Sequence, residues 1–212
     1  MEPLSNDKEF NDLLQKAANL RGHMCLGIPL GVKMGRLGLK LMGMEDPAKR
    51  DSLVVFVEND KCPADGIQAT TGCTPGSGRL KMLDFGKSAA TFVDGHTGLG
   101  FRVSTKKDFD QQALQLGIRD GIVNPSETVA PFSKLDRAVA MHAFMKMTTD
   151  ELLGYEPVKI KWSRSLLPNR NSPRSRCDSC GEEIMDGKGV PTGAKVLCGS
   201  CAGGAYYSRV RV

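Results

Sequence analysis

The last 36 residues of the chain contain four cysteines in the pattern C-x2-C-x17-C-x2-C, which are Cys177, Cys180, Cys198 and Cys201. The segment from 177 to 212 has few large apolar side chains, so burial alone cannot keep it folded. Each C-x2-C pair on a tight turn directs two sulfur atoms at one point, and two such pairs complete the tetrahedral shell that zinc prefers. The pattern therefore predicts a zinc module that depends on ~10 kcal/mol of metal-binding free energy.

Four thiolate ligands leave no coordination position for a substrate water, so this zinc is expected to be structural. Two disulfides, or a redox-active C-x2-C pair, are the alternatives, and the spacing of the two pairs favours zinc over both. Between the pairs, the glycine-rich stretch predicts a hairpin whose arms are Ile184–Met185 and Val196–Leu197. The residues after Cys201 are expected to begin a short helix, which would give a treble-clef-like finger.

A change of composition separates this module from the rest of the chain. Residues 163–176 are rich in Ser, Pro, Asn and Arg, and residues 157–176 contain six basic side chains and no acidic one. We therefore expect a core domain at 1–162, a basic linker at 163–176 and a zinc finger at 177–212. The formal net charge of +5 comes from residues 157–176, because residues 1–156 sum to about −1 and residues 177–212 are neutral. The pI of 8.8 is weak evidence for nucleic-acid binding.

The core has the pattern of an α+β domain with a mainly antiparallel sheet. Apolar periodicity and turn residues predict helices at 7–20, 27–42, 108–116 and 133–147 and one starting at Pro63, and strands at 52–58, 79–85, 88–93, 99–104 and 155–162. Asn6 and Glu9 are expected to cap the first helix, and Thr148 with Glu151 a short one. Gly27, Gly31 and Gly35 share one helix face, where a backbone or a ligand can come close.

The composition excludes a membrane span in the sequence. No run approaches the roughly 18 apolar residues that a transmembrane helix needs. The first ten residues are polar and acidic, without the basic and apolar pattern of a signal segment. We expect a cytoplasmic protein. The chain has seven cysteines, an odd number, and in such a protein metal binding or reactivity explains them better than a complete set of disulfides.

Three residues of the core form a candidate catalytic or metal site: His23, Cys25 and Cys62. Cys25 comes just before the second predicted helix, and Cys62 comes just before Pro63 at the start of another. The positive end of a helix dipole favours the thiolate form of a cysteine. The residues therefore predict either an N/S metal site or a reactive thiol pair, with buried cysteines that only fill the core as the alternative.

The remaining cysteine and histidines are weaker candidates. Cys73 lies eleven residues after Cys62, which in a helix corresponds to about 16 Å, too far to share one ion. His142 lies among apolar residues at helical spacing and is expected to be a core histidine with a hydrogen-bond partner. His96 falls in a predicted turn and is expected to face solvent.

Two blocks of the core resemble the E-subunit family of formylmethanofuran dehydrogenase. They are R-G-H-M-C-L-G-I-P-L-G, beginning at Arg21, and V-E-N-D-K-C-P-A-D-G-I-Q-A-T-T-G-C-T-P-G-S-G, beginning at Val57. D-F-G-K-S-A-A-T-F follows the second block, and some family members carry a C-terminal zinc finger. The family pattern H-G-H-x-C-P-G is changed here at Arg21 and Leu26, and Arg21 is free to hold an anion by a charge-assisted contact instead.

The resemblance implies an α+β core, metal binding in that core and self-association as a homodimer. It matches His23, Cys25 and Gly27 in the first block, and it suggests Asp65, Gln68 and Cys73 as further cofactor-binding positions in the second. It also implies a link to the molybdenum or tungsten enzyme that interconverts carbon dioxide and formylmethanofuran in methanogens. The family takes its name from genetic association with that enzyme.

Three hypotheses follow. The first is an accessory subunit or small enzyme of redox or one-carbon metabolism, with a Cys/His cleft in the core that holds a second metal ion or reactive thiols. The second is a dimeric protein whose finger and basic linker bind nucleic acid with strong salt dependence. The third makes the finger a docking or bracing device. We favour the first for the core and the third for the finger.

Overall fold

The computed structural model describes residues 7–124, 137–161, 167 and 173–208. The chain divides into two compact units, one over residues 1–167 and the other over 168–212. The predicted linker at 163–176 lies mostly outside the described residues, but Ser175 and Arg176 at its end form a strand. Among the described residues, no helix is long and apolar enough to cross a membrane.

The first unit contains six α-helices and five strands in its described residues. The helices are α1 (Lys8–Arg21), α2 (Gly27–Met42), α3 (Pro63–Thr71), α4 (Phe109–Arg119), α5 (Arg137–Lys146) and α6 (Thr149–Leu152). The strands are β1 (Leu53–Val57), β2 (Leu80–Met82), β3 (Ala89–Asp94), β4 (Leu99–Thr105) and β5 (Leu153–Lys159). The predicted elements are thus present, although the part of the predicted 133–147 helix before Arg137 and the end of the predicted strand at Trp162 lie outside the described residues.

The strands form one sheet in the order β2-β1-β3-β4-β5. β1 pairs with β2 in parallel, whereas the pairs β1–β3, β3–β4 and β4–β5 are antiparallel. All five residues of β1 are buried, because its two faces contact different apolar clusters. This confirms the predicted α+β class with a mainly antiparallel sheet.

The helices pack on one face of this sheet. Val55 and Phe92 project from that face into the main core, together with Leu30 and Met34 from α2. A different side of α2, with Ile28 and Val32, packs against α1 in a second cluster. The opposite face of the sheet, at Val54, Phe56 and Val93, is covered in part by Leu83, Ile160 and Leu167.

The ends of several helices follow from local chemistry. The side chain of Asp7, rather than that of the predicted Asn6, caps α1 by accepting a hydrogen bond from the Phe10 N–H; Asn6 itself lies outside the described residues. Gly22 ends α1 with a positive φ of 89°, as its sequence position suggests. The predicted capping box of Thr148 and Glu151 is present at α6.

The second unit is built from two short hairpin-like pairs. β6 (Ser175–Arg176) pairs with β7 (Glu183–Ile184), and β8 (Val190–Thr192) pairs with β9 (Lys195–Leu197). The predicted hairpin is present as β8 and β9, with Val196–Leu197 in its second arm. Its first arm is Val190–Thr192 rather than the predicted Ile184–Met185, because Ile184 pairs with Ser175 instead. A single helical turn over Ser200–Gly204 follows the last pair and ends near Gly203, whose φ of 99° is not helical.

Candidate functional site

Glycines bring α2 and α3 into direct contact. A Cβ added to Gly27 would lie 2.9 Å from Cβ of Cys62, and one added to Gly66 would lie 2.5 Å from the Ile28 carbonyl oxygen. Further along α2, a Cβ on Gly35 would lie 2.7 Å from Cβ of Thr70. The two helices therefore run side by side in the same direction. The glycine stripe predicted from the sequence accommodates another backbone, that of α3.

This packing places the first residues of both helices at the same end, where Cys25 and Cys62 meet. The two cysteines form a disulfide, with 6.8 Å between their Cα atoms and a sequence separation of 37. Cys25 keeps only 7% of its surface exposed, whereas Cys62 is half-buried. The sequence left a metal site and a reactive thiol pair as alternatives, and the structure joins these two sulfur atoms to each other.

The disulfide borders an open cleft of about 560 Å³, which we call the thiol cleft. His23 lines it beside both cysteines, and Arg21, Lys61, Lys87 and Arg137 contribute cationic side chains. The other lining residues in the described part of the chain are Leu26, Gly27, Leu30, Asn59, Pro63, Asp84, Gly86, Ser88 and Phe144. A cleft of this size lies within the range of small-molecule sites.

The loop that carries Cys62 is fixed by hydrogen bonds to the loop between β2 and β3. The Asn59 side chain donates to the Lys87 carbonyl at 2.6 Å, and its oxygen accepts the Lys61 N–H at 3.1 Å. The Glu58 carbonyl accepts the N–H groups of Phe85 and Lys87, both at 3.0 Å. Glu58 and Asn59 are both buried, so this tie sets the position of Cys62 from inside the molecule.

Glu58 is held in turn by Arg102 of β4. The guanidinium donates to both carboxylate oxygens of Glu58, at 2.6 and 2.8 Å. Sequence reasoning gave no role to Glu58, Asn59 or Lys87. The sequence does contain a signal for Glu58 and Asn59. They are two polar residues directly after the wholly apolar strand β1, in the segment that leads to Cys62.

The other candidate positions are distributed around the thiol cleft without entering it. Asp65 accepts a hydrogen bond from Arg21 at 3.0 Å, so the anion that Arg21 holds by a charge-assisted contact is a carboxylate of the chain itself. Gln68 is half-buried on α3, and Cys73 is fully buried with its thiol 3.6 Å from the Leu53 carbonyl oxygen. Burial raises the pKa of Cys73. None of Asp65, Gln68 and Cys73 lines the thiol cleft.

Of the remaining histidines, His96 is exposed as expected, whereas His142 has the expected hydrogen-bond partner but is half-buried rather than part of the core. His142 lies 2.7 Å from a carboxylate oxygen of Asp120, a contact that joins α5 to the end of α4. Hydrogen bonds from Arg119 and His142 lower the pKa of Asp120 to about 2. His96 is exposed in the turn between β3 and β4.

In the second unit, Cys177, Cys180, Cys198 and Cys201 gather so that their sulfur atoms all lie within 4.8 Å of one another. We call this group the cysteine quartet. A zinc tetrahedron with Zn–S bonds of about 2.3 Å has edges of about 3.8 Å, and the sulfur atoms of Cys180 and Cys198 are 3.9 Å apart. Within the described parts of the chain this is the one group of three or more such side chains that could hold a metal ion. His23, Cys25 and Cys62 do not form such a group, and a metal ion in the core stays a prediction.

The electrostatics of the cysteine quartet also suit a cation. Hydrogen bonds from the backbone N–H groups of Cys180 and Cys198 lower the pKa of Cys177 to about 6. For Cys180 the Glu182 N–H acts in the same direction, but burial and the three neighbouring thiols outweigh it and raise the pKa to about 12. Four sulfur atoms this close cannot all ionise unless a positive charge lies between them. A divalent ion would supply that charge.

The fold and the two cysteine sites define a class: a two-unit protein whose α+β core carries paired cysteines and whose second unit is a cysteine cluster that fits a zinc finger. Residues 20–153 match the family model described as "FmdE, Molybdenum formylmethanofuran dehydrogenase operon". The chain belongs to the FmdE family, as its two sequence blocks suggested.

Two relatives extend this comparison. Over 220 residues the chain is 30% identical to a probable S-adenosyl-L-methionine-binding protein of Archaeoglobus fulgidus, covering 99% of this chain and 57% of the relative. The chain thus spans little more than half the length of that protein. A crystal structure of an FmdE-like protein of the tungsten formylmethanofuran dehydrogenase type, from Syntrophus aciditrophicus, matches with a TM-score of 0.62 at 23% identity, over 94% of this chain and 95% of that one. The structural match supports the fold.

Proposed function

We propose that this protein is a metal-binding accessory subunit or small enzyme of redox or one-carbon metabolism, and that the Cys25–Cys62 pair is its redox-active group. The observation that carries the proposal is the disulfide that joins the two family blocks through Cys25 and Cys62, at the edge of an open cleft. Its proposed reaction is reversible thiol–disulfide exchange. The FmdE family membership supports the association with metal-dependent one-carbon chemistry.

The position of the pair favours reversible chemistry over a purely structural cross-link. Both cysteines lie at the N-terminal ends of parallel helices, where the helix dipoles stabilise thiolates. Stabilising the reduced form makes a disulfide easier to reduce. The half-buried Cys62 faces the thiol cleft, so a small reagent can reach the bond.

In the reduced form, the pair would offer two thiolates to a soft metal ion, with the His23 imidazole in the same cleft as a third donor. The donor types fit a metal such as zinc, although the described arrangement does not place the three within ligand distance of a common ion. We therefore propose metal binding in the core only for the reduced protein.

For the second unit, we propose that the cysteine quartet binds Zn²⁺ and that this zinc is structural. A shell of four cysteine thiolates has no open position for substrate. The short strands of the unit bury few large side chains, with Ile184 the main apolar one. The metal would therefore supply most of its stability.

The test of the core function is a redox titration of the full-length protein in glutathione buffers, followed by alkylation of free thiols. Trypsin cleavage after Arg21 and Lys33 isolates Cys25 as the one cysteine of the peptide 22–33, so mass spectrometry reports its state alone. We expect one reversible two-electron transition inside the glutathione range. Cys25 that stays blocked in fully reducing glutathione would identify a structural disulfide and contradict the proposal.

Two variants sharpen this titration. Cys62→Ser should leave Cys25 alkylated throughout the titration, because its partner is gone. Cys73→Ser, which removes a buried thiol outside the pair, should leave the transition unchanged. Elemental analysis of the reduced wild type and of a Cys25→Ser/Cys62→Ser variant would then measure the core metal separately from the metal of the cysteine quartet.

The expected homodimer, a complex with a redox enzyme and a cytoplasmic location stay predictions. Sedimentation of the full-length protein tests the first. Nucleic-acid binding through the basic segment also stays a prediction, and it requires retardation of DNA or RNA that disappears as salt is raised.

A further inference from the structure

We infer that the thiol cleft takes a small anionic thiol as the redox partner of the Cys25–Cys62 pair. This inference rests on the proposed thiol–disulfide function and adds the chemical class of the substrate. It comes from the charge, the size and the apolar lining of the cleft, none of which the sequence patterns indicated.

The ionisable side chains that line the thiol cleft are mostly cationic. Arg21, Lys61, Lys87 and Arg137 border it, and Asp84 is the one carboxylate among the lining residues that the structure describes. Within a concave site, charges of one sign add, because the low-dielectric walls focus their field into the opening. The lining therefore favours an anion close to the disulfide.

Two of these cations have acidic partners that lie outside the cleft lining. Arg21 pairs with Asp65 at 3.0 Å, and Lys61 pairs with Asp60 at 2.5 Å. These pairs reduce the net charge near the opening. Arg21 still has guanidinium N–H groups beyond the one that Asp65 accepts.

The other two cations, Lys87 and Arg137, have no ion-pair partner in the described parts of the chain. Among the described residues of the lining, Asp84 is the one negative charge near them. The described lining thus carries a net positive charge even when every paired side chain is counted as neutral. The unpaired cations are the residues that an anionic ligand would meet.

The size and the apolar lining point to a small organic molecule rather than a protein segment. Leu26, Leu30 and Phe144 supply an apolar surface between the cations, and Cys25 is too buried for a bulky partner to reach it. A volume of about 560 Å³ suits a ligand with a short carbon chain and one or more acidic groups.

The exchange runs in two balanced steps. The ligand thiolate attacks Sγ of the more accessible Cys62, the bond between Cys62 and Cys25 breaks, and its electron pair leaves on Cys25 as a thiolate. A second ligand thiolate then attacks the ligand sulfur of this mixed disulfide, which releases the Cys62 thiolate. Two ligand thiols are oxidised to one disulfide, and the protein disulfide is reduced to two thiols. In the reverse direction, the reduced pair reduces the ligand's disulfide.

The experiment compares three small thiols as reductants of the oxidised full-length protein: 3-mercaptopropionate as the anion, 2-mercaptoethanol as the neutral thiol and 2-aminoethanethiol as the cation. The rate is read from alkylation of Cys25 in the peptide 22–33. The ratio of the anionic to the neutral rate is measured in the wild type and in Lys87→Gln/Arg137→Gln. The same thiols are used on both proteins, so their intrinsic reactivities contribute equally to the two ratios. A change in the ratio between the proteins therefore reports the effect of the substitutions.

We expect the anionic-to-neutral ratio to fall by about tenfold in Lys87→Gln/Arg137→Gln and the cationic-to-neutral ratio to rise. About 0.5 M salt should reduce the anion preference of the wild type as well. The matched control is Lys49→Gln/Lys107→Gln, which removes the same charge from two exposed positions outside the cleft. It should keep the wild-type ratio.

Two outcomes would overturn the inference, and they are distinguishable. If dithiothreitol exposes Cys25 in every protein but the double variant keeps the wild-type ratio, the anionic ligand is wrong and the thiol function stands. If neither dithiothreitol nor any small thiol exposes Cys25, the proposed thiol function fails and the inference fails with it.

Discussion

Gly31 of α2 lies against Pro63 of α3 so closely that a Cβ on Gly31 would stand 2.1 Å from the Pro63 carbonyl oxygen. No side chain fits between these two backbones. Because Pro63 directly follows Cys62, the distance between the helices also decides whether Cys62 can reach Cys25. The glycine is therefore a condition for the cysteine pair as well as for the packing.

We predict that Gly31→Ala destabilises the core by about 3 kcal/mol, because a clash with backbone atoms forces the helices apart. In protein oxidised by air, it should also reduce the fraction of Cys25 that the disulfide with Cys62 protects from alkylation. Thermal unfolding and alkylation of the peptide 22–33 measure the two effects. Gly76→Ala is the control, since the one contact of its added Cβ is the Thr74 hydroxyl at 4.0 Å. Equal stability of both variants would contradict the prediction.

The guanidinium of Arg102 pairs with two carboxylates, that of the buried Glu58 and that of the exposed Glu156. Their contributions to stability can therefore be compared. Glu58 is 9% exposed in its side chain and makes two short hydrogen bonds, whereas Glu156 is 64% exposed and lies 3.5 Å away. We predict that Glu58→Gln costs about 3 kcal/mol, the low end for a buried pair because Arg102 stays partly solvated. Glu156→Gln should cost at most about 1 kcal/mol. Urea unfolding measures both, and a larger loss in Glu156→Gln would refute the assignment.

Helices and strands of the core were predictable because burial imposes their periods on the sequence. α2 and β1 show this best: the observed bounds Gly27–Met42 and Leu53–Val57 match the predicted segments within one residue. In each case the apolar positions are the ones that pack in the core, so their spacing gives the type of element. Glycines such as Gly22 mark where an element ends.

Contacts between residues far apart in sequence were harder to predict from the sequence. The sequence placed Cys25 and Cys62 at helix starts, but their bond depends on how α2 packs against α3, which no local pattern records. Arg21 was expected to hold an anion, but no local pattern indicated that this anion is the carboxylate of Asp65, 44 residues further on. The first arm of the hairpin in the second unit was misplaced for a related reason: the strands there are only two or three residues long, too short for a period to appear.

Lys33 provides a test by pH. It is buried in α2, its ammonium donates a hydrogen bond to the Met147 carbonyl, and it lies 5.5 Å from the centre of the Phe10 ring. Burial lowers its pKa below the ordinary value of 10.5. In the pH range between the lowered value and 10.5, the unfolded chain binds more protons at this position than the folded protein. Stability from this group therefore rises with pH across that range.

We predict that the free energy of unfolding of the wild type, minus that of Lys33→Met, increases from neutral pH towards pH 10.5. Each unit of pKa lowering contributes about 1.4 kcal/mol to the increase, so its size measures the shift. Urea unfolding at several pH values gives the difference, in which the other titrating groups cancel. A difference that stays flat or falls with pH would show that Lys33 is not desolvated in the folded protein.

Removal of metal from the cysteine quartet should unfold the second unit and leave the first intact. With the ion gone, the thiols of Cys177, Cys180, Cys198 and Cys201 lose the charge that allows them to ionise together, and the unit buries too little apolar surface to stay folded. We predict that a strong chelator abolishes hydrogen-exchange protection over residues 173–208 of the full-length protein, while protection of α2 and β1 stays unchanged. Cys180→Ser should do the same without chelator, and Cys73→Ser should not. If the four cysteines formed two disulfides instead, the chelator would have no effect and a reductant alone would remove the protection.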